Sequence, residues 1–269
     1  MSGAIGVAEA LALVVRGERL DAPAMGSVIE AIMAGTADPL QVSALLACLS
    51  ARGETTEEVA GAATAMRSLA VHVPAAPAGS IDTCGTGGDG AGTFNISTIA
   101  ALVVAGAGVP VAKHGHRAAT SRCGSAELLE ALDVAIEIPP EAMAASVHKV
   151  GIGFLYARSC HPAMAAVAPI RKALAIPTIF NRLGPLTNPM KPDYQLLGVG
   201  RREMLEGAAA GLVRLGVKRA WVVHGEDGLD EISTTARTHG LAIDGSDISS
   251  FVLEPGAHVD PALSLIHIS

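Results

Sequence analysis

The sequence predicts an α/β protein: a small N-terminal helical domain, then a larger domain on a mostly parallel central sheet. Three observations carry this. Apolar helical runs succeed one another up to about residue 70, with no strand pattern before residue 79. From Ile81 onward short apolar strands alternate with helices, the rhythm of a parallel sheet. A stretch rich in Pro, Ala and Gly, 74–79, separates the two regions and reads as a linker. The expected domains are 1–72 and 79–269.

In the first region, Ala8 to Val15 is an apolar run that stops near Gly17. Asp21-Ala-Pro opens a second helix running to about Ala34-Gly35, and Asp38-Pro39 opens a third with Val42, Leu45, Leu46 and Leu49 on one face. Thr55-Thr-Glu-Glu58 opens a fourth, with acids in its first turn. In the second region, strands are expected at Ser80–Thr83, Val109–Lys113, Ala135–Ile138, Ile152–Tyr156, Leu196–Gly198 and Ala220–His224. Helices are expected at Ile99–Ala107 and Ser125–Leu132. Ligands of such sheets bind at the carboxyl ends of the strands. Gly85, Lys113 and His224 are expected just past strand ends, lining one crevice.

Composition narrows the function. The chain has 269 residues, enough for a substantial core, and only 3% are aromatic, so its packing rests on Ala, Leu and Val. A formal charge of −7 argues against a general nucleic-acid or anionic-membrane surface, so an anionic ligand must meet a local basic patch. Cys48, Cys84, Cys123 and Cys160 are scattered without metal-ligand spacing. With neither a secretory signal pattern nor an apolar run of bilayer length, a reducing cytoplasm is the expected setting.

The most informative stretch is Asp82-Thr-Cys-Gly-Thr-Gly-Gly-Asp-Gly90, followed by Thr93-Phe-Asn-Ile-Ser-Thr98. Its glycines let the backbone turn sharply and approach a ligand, and successive N–H groups in such a loop form an anion nest. The helix that follows adds the partial positive charge of its N-terminus, with Asn95, Ser97 and Thr98 placed for caps and ligand contacts. The spacing is neither that of a P-loop nor that of a dinucleotide fingerprint. Asp89 would repel a phosphate unless it holds a sugar hydroxyl or a metal ion. The reading is a cradle for a strongly anionic, phosphorylated ligand.

Two further clusters complete it. Lys113, Arg117, Arg122, His114 and His116 gather within ten residues of an otherwise acidic chain, flanked by Thr120, Ser121, Gly124 and Ser125. That mixture of point charges and hydroxyls suits a polyphosphate. Glu226, Asp227, Asp230 and Glu231 place four carboxylates in six residues, which repel one another unless a cation sits among them. Oxygen ligands with no nearby Cys suit Mg²⁺, which leaves positions for water and phosphate. Together the three clusters point to an Mg²⁺–pyrophosphate substrate.

The residues that carry these readings resemble the anthranilate phosphoribosyltransferase family. The resemblance runs from the N-terminal helices to about Ile248. It rests on Gly85-Thr-Gly-Gly-Asp89, Asn95-Ile-Ser-Thr98, Lys113-His-Gly115, His161-Pro-Ala-Met164, Thr178-Ile-Phe-Asn181 with Gly184-Pro-Leu-Thr-Asn-Pro189, and Gly228-Leu-Asp-Glu-Ile-Ser233. It implies a fold of the nucleoside phosphorylase/phosphoribosyltransferase type and transfer of a phosphoribosyl group from phosphoribosyl pyrophosphate (PRPP) to anthranilate. By the same resemblance, Gly85, Gly88, Asp89, Thr93, Asn95, Ser97, Thr98, Lys113, Ser121 and Ser125 would hold PRPP. Ser97, Asp230 and Glu231 would hold Mg²⁺. Gly85, His116 and Arg171 would meet anthranilate, and Lys113, Asp89 and His114 are the catalytic candidates. It further implies that 161–190 packs on the helical domain with a hinge at Gly184-Pro185, and that the chain forms a homodimer through that domain. No nucleic acid or membrane partner is expected.

The departures lie on the acceptor side. His116 stands where the family usually has Asn, Ala175-Ile-Pro177 replaces the more usual Gly-Ile-Arg, and Arg182 occupies a commonly apolar position. Family members extend further, and Leu263–Ser269 resembles nothing in them, so the α/β domain is expected to be incomplete at its C-terminus. Two alternatives stand beside this reading: a pyrimidine nucleoside phosphorylase of the same fold and a non-catalytic nucleic-acid-binding relative. The first typically carries Lys-x-Ser where this chain has Lys113-His-Gly115 and has no need of Asp230-Glu231. The second wants a basic groove that the charge of −7 does not favour.

Overall fold

The computed structural model describes residues 3–87, 91–118 and 123–257. In chain order the helices are α1 (Val7–Val15), α2 (Ala22–Met33), α3 (Pro39–Arg52), α4 (Thr56–Ser68), α5 (Ile96–Gly106), α6 (Ser125–Ala131), α7 (Pro140–Val150), α8 (Ala157–Cys160), α9 (Ala168–Leu174), α10 (Ile179–Leu183) and α11 (Met204–Arg214). The strands are β1 (Ile81–Gly85), β2 (Val111–Gly115), β3 (Ile152–Tyr156), β4 (Tyr194–Gly198), β5 (Arg219–Gly225), β6 (Thr238–Asp244) and β7 (Asp247–Leu253). The described residues fall into two units, one made of residues up to 71 with 158–187, the other of 72–157 with the residues from 188 onward.

The first unit is helical, and its starts are written locally. Asp21 caps α2 by accepting the Ala24 N–H at 2.9 Å, and Asp38 caps α3 through the N–H groups of Leu40 and Gln41. Thr55 and Glu58 form a reciprocal capping box on α4. Glu58 does more than cap: fully buried, it also accepts the Leu20 N–H at 2.9 Å and pairs with Arg52. One carboxylate thus ties the start of α4 to the α1–α2 connection and to the end of α3. Helices α2 and α4 meet where a side chain at Gly61 would overlap the Ala22 backbone. The core of the unit takes Val42, Leu45, Leu46 and Leu49 from the expected face of α3.

The second unit is a seven-stranded sheet in the order β3-β2-β1-β4-β5-β6-β7, parallel from β3 to β5 and antiparallel at β6 and β7. The chain leaves β1 toward β2 and β3, then returns to β4 on the other side of β1. The β1/β4 boundary is therefore the topological switch point, where ligands of open parallel sheets bind.

Several expectations need correction. Residues 135–138 are not a strand: the segment is irregular, and Ile136 is buried with Ala126, Leu129 and Tyr156. This apolar run plugs the core rather than extending the sheet, and Pro139-Pro140 starts α7 directly after it. Strands β1 and β2 end two residues later than expected, so Gly85 and Lys113 lie within strands, and His224 lies within β5. Helix α5 starts three residues early, which places Ser97 and Thr98 in its first turn. The β6–β7 hairpin was not anticipated, although Asp244-Gly245, with Gly245 at φ +61°, is a turn signal.

The helical unit carries a pH-dependent element. His161 is buried, and burial pushes its pKa down to about 4. The fold therefore holds the neutral ring. Its contribution is complete above the ordinary histidine pKa of about 6.5 and is lost as pH falls toward 4, because the unfolded chain takes up a proton that the folded chain refuses. Urea midpoints between pH 7 and pH 4 are expected to fall in the wild type, by up to roughly 3 kcal/mol of stability from this group. His161→Gln is expected to flatten that slope; an equally steep decline in the variant would contradict the assignment.

Candidate active site

The site starts from a close backbone crossing. The loop after β5 passes over the carboxyl ends of β1 and β4, where Gly85 and Gly198 are paired neighbours. A Cβ at Gly198 would overlap the Asp230 carbonyl, and one at Gly85 would come within 2.5 Å of Asp230 Oδ2. At Gly198, where the neighbour is backbone, only glycine permits this approach, and at Gly85 a side chain would push the Asp230 carboxylate aside. The reward is a hydrogen bond from the Gly87 N–H to Asp230 Oδ2 at 2.7 Å, which joins the acidic loop to the glycine loop. The Thr86 N–H donates to the Gly198 carbonyl at 2.9 Å, and the Gly200 N–H to Thr86 Oγ1 at 3.1 Å, so the glycine loop is fixed to the end of β4 as well.

The four acids of this loop are not equivalent. Glu226 pairs with Arg237 and His239 at 3.3 and 2.6 Å, and these donors hold its carboxyl below the usual range. Asp227 accepts from the hydroxyls of Ser233 and Thr235 and shapes the turn. Both are structural. Asp230 lies under the glycine loop, while Glu231 acts electrostatically on Lys113 and Cys84. Side-chain donors therefore take up Glu226 and Asp227, while Asp230 and Glu231 supply carboxylate oxygens, of a kind suited to a hard cation, beside the glycine loop and Lys113. No group of three His, Cys, Asp or Glu side chains converges as a metal site among the described residues.

Lys113 is the centre of the basic side. Buried on β2, its Nζ donates to the Thr83 carbonyl at 2.6 Å and to Ser97 Oγ at 3.3 Å. Burial lowers its pKa, against the opposing pull of Asp82, Cys84 and Glu231. Thr83 Oγ1 donates to the Ser97 carbonyl at 2.8 Å, and Thr98 Oγ1 donates to Ser125 Oγ at 3.1 Å. The first turns of α5 and α6 therefore meet beside the carboxyl ends of β1 and β2. Asn95 is the N-cap residue of α5, but its amide reaches the Gly124 carbonyl and Cys123 Sγ at 3.4 Å instead of capping. The first N–H groups of the helix are instead bonded to backbone carbonyls, Ile96 to Phe94 at 2.7 Å and Thr98 to Asn95 at 3.1 Å.

Gly85, Asn95, Ser97, Thr98, Lys113, Ser125, Asp230 and Glu231 thus belong to one end of the sheet, with Thr93 on the loop into α5. Gly88, Asp89 and Ser121 lie outside the described residues. His114 adjoins Lys113 on β2, so strand alternation sends its side chain to the opposite face. His116 follows β2 directly and is exposed, with its carbonyl accepting the Ala126 N–H at 3.4 Å. Arg117 is not a phosphate ligand here: it forms a bidentate pair with Glu130 at 2.6 Å and donates to Tyr156. Arg171 belongs to the helical unit, where its guanidinium stacks over Phe180 at 5.6 Å and donates to Asn181 at 3.4 Å.

Two residues of the site went unassigned in the sequence. Asp82 and Asn188 are buried and bonded to each other at 2.9 Å. An acid inside an apolar strand, and the asparagine of the Gly184–Pro189 motif, were the available signals. Burial pushes the Asp82 carboxyl up to about 6, while Lys113, Asn188 and the N–H groups of His114 and Thr83 pull it down.

Comparison with known proteins agrees with this architecture. Residues 8–70 match the model of the glycosyl transferase family helical bundle domain, and residues 78–259 that of the glycosyl transferase family a/b domain. The chain is 49% identical over 247 residues to anthranilate phosphoribosyltransferase of Desulfitobacterium hafniense strain Y51, covering 92% of this chain and 73% of that protein. It is 50% identical over 245 residues to the enzyme of the same name from Rhodospirillum rubrum, covering 91% and 70%. Among solved structures, anthranilate phosphoribosyltransferase (TrpD) from Thermus thermophilus superposes with a TM-score of 0.85 at 45% identity, covering 92% of this chain and 74% of that one. The Saccharomyces cerevisiae enzyme in complex with PRPP and Mg superposes with a TM-score of 0.83 at 28% identity, covering 93% and 73%. On identity, coverage and fold together, the chain belongs to the anthranilate phosphoribosyltransferase family.

Proposed function

We propose that this protein transfers the phosphoribosyl group from PRPP to the amine of anthranilate, a step of tryptophan biosynthesis. The products are N-(5-phosphoribosyl)anthranilate and pyrophosphate. The observation that carries the reading is the joining of Asp230 to the glycine loop, beside a buried lysine and two helix starts. Anion donors and cation-binding carboxylates then share one end of the sheet, as an Mg²⁺–pyrophosphate group requires.

The residues divide the work. The glycine loop, with Asn95, Thr98 and Ser125, binds the phosphates and holds the ribose in place. Asp230, Glu231 and the hydroxyl of Ser97 would hold Mg²⁺, which when bound neutralises charge on the departing pyrophosphate. Lys113 has three donors, two of which go to Thr83 and Ser97. The third serves the leaving group, whose negative charge grows as the C1–O bond breaks. The anthranilate amine attacks C1 from the opposite face, forms the C1–N bond and releases its proton to solvent. This amine needs positioning more than activation, so no general base is assigned, and His114, on the face of β2 opposite Lys113, has a structural role. Asp89 is assigned a ribose hydroxyl or a metal ion. The planar fork of Arg171 suits the anthranilate carboxylate, and its stacking on Phe180 keeps that fork oriented. Gly85 and His116 complete the acceptor contacts in this reading. A homodimer through the helical unit and a cytoplasmic setting belong to the same proposal. Exposed Val15 and Leu40 supply apolar surface on that unit, and no helix of the described residues is long and apolar enough to cross a membrane.

Loss of anthranilate fluorescence with PRPP tests the reading. Mg²⁺-dependent loss is expected, with Asp230→Ala combined with Glu231→Ala lowering kcat/KM by roughly a hundredfold or more. Phosphorolysis of thymidine with no consumption of anthranilate would overturn it. His116→Asn restores the residue usual in the family and is expected to lower the KM for anthranilate by about threefold, with the KM for PRPP unchanged. A change confined to PRPP would remove His116 from the acceptor side.

A further inference from the structure

One rung of the parallel sheet is missing, and three of its backbone groups are bonded instead to the side chains of Asp82, Asn188 and Lys113. Strands β1 and β4 pair over five positions, as do β2 and β3, but β1 and β2 pair only at Ile81 and Val111. The next rung in register would set Thr83 against Lys113, joining the Thr83 N–H to the Ala112 carbonyl and the His114 N–H to the Thr83 carbonyl. That rung is absent from the β1–β2 pairing. The His114 N–H turns to the Asp82 carboxylate at 3.2 Å. The Ala112 carbonyl accepts from Asn188 Nδ2 at 2.8 Å, and the Thr83 carbonyl accepts from Lys113 Nζ.

Asn188 has no slack in this arrangement. Its two amide hydrogens go to Asp82 and Ala112, and its Oδ1 accepts the Met190 N–H at 3.0 Å. Reversing the amide would set its oxygen against a carboxylate and a carbonyl, so the network fixes its orientation. The consequence falls on Lys113. Were the rung closed, the His114 N–H would compete with the ammonium for the Thr83 carbonyl and draw it into the plane of the sheet, weakening the shorter of the two bonds that hold Lys113.

We propose that Asp82 and Asn188 are positioning residues for Lys113: they hold one rung of the sheet open so that the Thr83 carbonyl anchors the ammonium beside Ser97. The proposal rests on the reading of Lys113 as the leaving-group donor, but half of its test does not need the reaction. The full chain, Asn188→Ala, Asp82→Asn and the double variant are compared. Labelling of Lys113 by a soluble amine reagent, mapped by peptide mass spectrometry, is expected to rise about fivefold or more in each single variant as the side chain is released. In the same proteins kcat is expected to fall roughly tenfold or more with the KM for anthranilate changing less than about threefold, and the two losses are expected not to add. Should Asn188→Ala fail to fold, isosteric Asp82→Asn carries the test. Unchanged labelling of Lys113 in a folded variant overturns the proposal, as does an unchanged kcat in an active wild type. A wild type that leaves anthranilate untouched defeats the functional reading, and labelling then decides the positioning claim by itself.

Discussion

The α/β unit depends on one contact, the seating of Asp230 across the carboxyl ends of β1 and β4. Two adjacent strands end in glycine, and the loop after β5 fills the space that two side chains would have taken. That approach brings a carboxylate within 2.7 Å of a glycine-loop N–H and sets its neighbour Glu231 within electrostatic reach of Lys113. The donors for an anion and the oxygens for a cation come from segments about 140 residues apart in the chain, and no local motif could join them. In the proposed function, the site for a metal-bound pyrophosphate follows from this crossing more than from any single residue.

The same end of the sheet stores buried charge, which is expensive unless each group is paired. Lys113 and Asp82 are both almost fully enclosed, and burial drives each toward its neutral form. Opposing this, Asp82 collects the His114 N–H and the Asn188 amide, and Lys113 holds a carbonyl and a hydroxyl. Breaking one member of such a network leaves the others uncompensated. Here the polar groups also replace a rung of the sheet, so the network that satisfies the charges shapes the backbone around the lysine.

Much of this was legible in the sequence, because local chemistry wrote it. Asp21, Asp38 and Thr55 announced three helix starts through their capping oxygens, and the change of rhythm at Ile81 announced the sheet. The glycine loop, Lys113 and Asp230-Glu231 were recognisable because few other structures require those residue types at that spacing. What stayed hidden was tertiary. Residues 135–138 have the composition of a strand, yet Ile136 serves as a core plug beside Tyr156. Arg117 looked like a phosphate ligand, yet Glu130, thirteen residues on, holds both arms of its guanidinium. Gly198 carries no sequence signal at all, since the backbone that it admits comes from Asp230. Asn188 was visible as part of a motif, but its partner Asp82 lies 106 residues away.

The most direct test of the central contact is the affinity of the folded protein for PRPP, measured by calorimetry with and without Mg²⁺, in wild type and Gly198→Ala. If the crossing builds the site, the wild type binds PRPP more tightly with Mg²⁺. The added methyl group then lifts Asp230 from the glycine loop and weakens that binding by roughly tenfold or more, with helical circular dichroism preserved. A folded Gly198→Ala protein that binds Mg²⁺ and PRPP as tightly as the wild type would contradict the account.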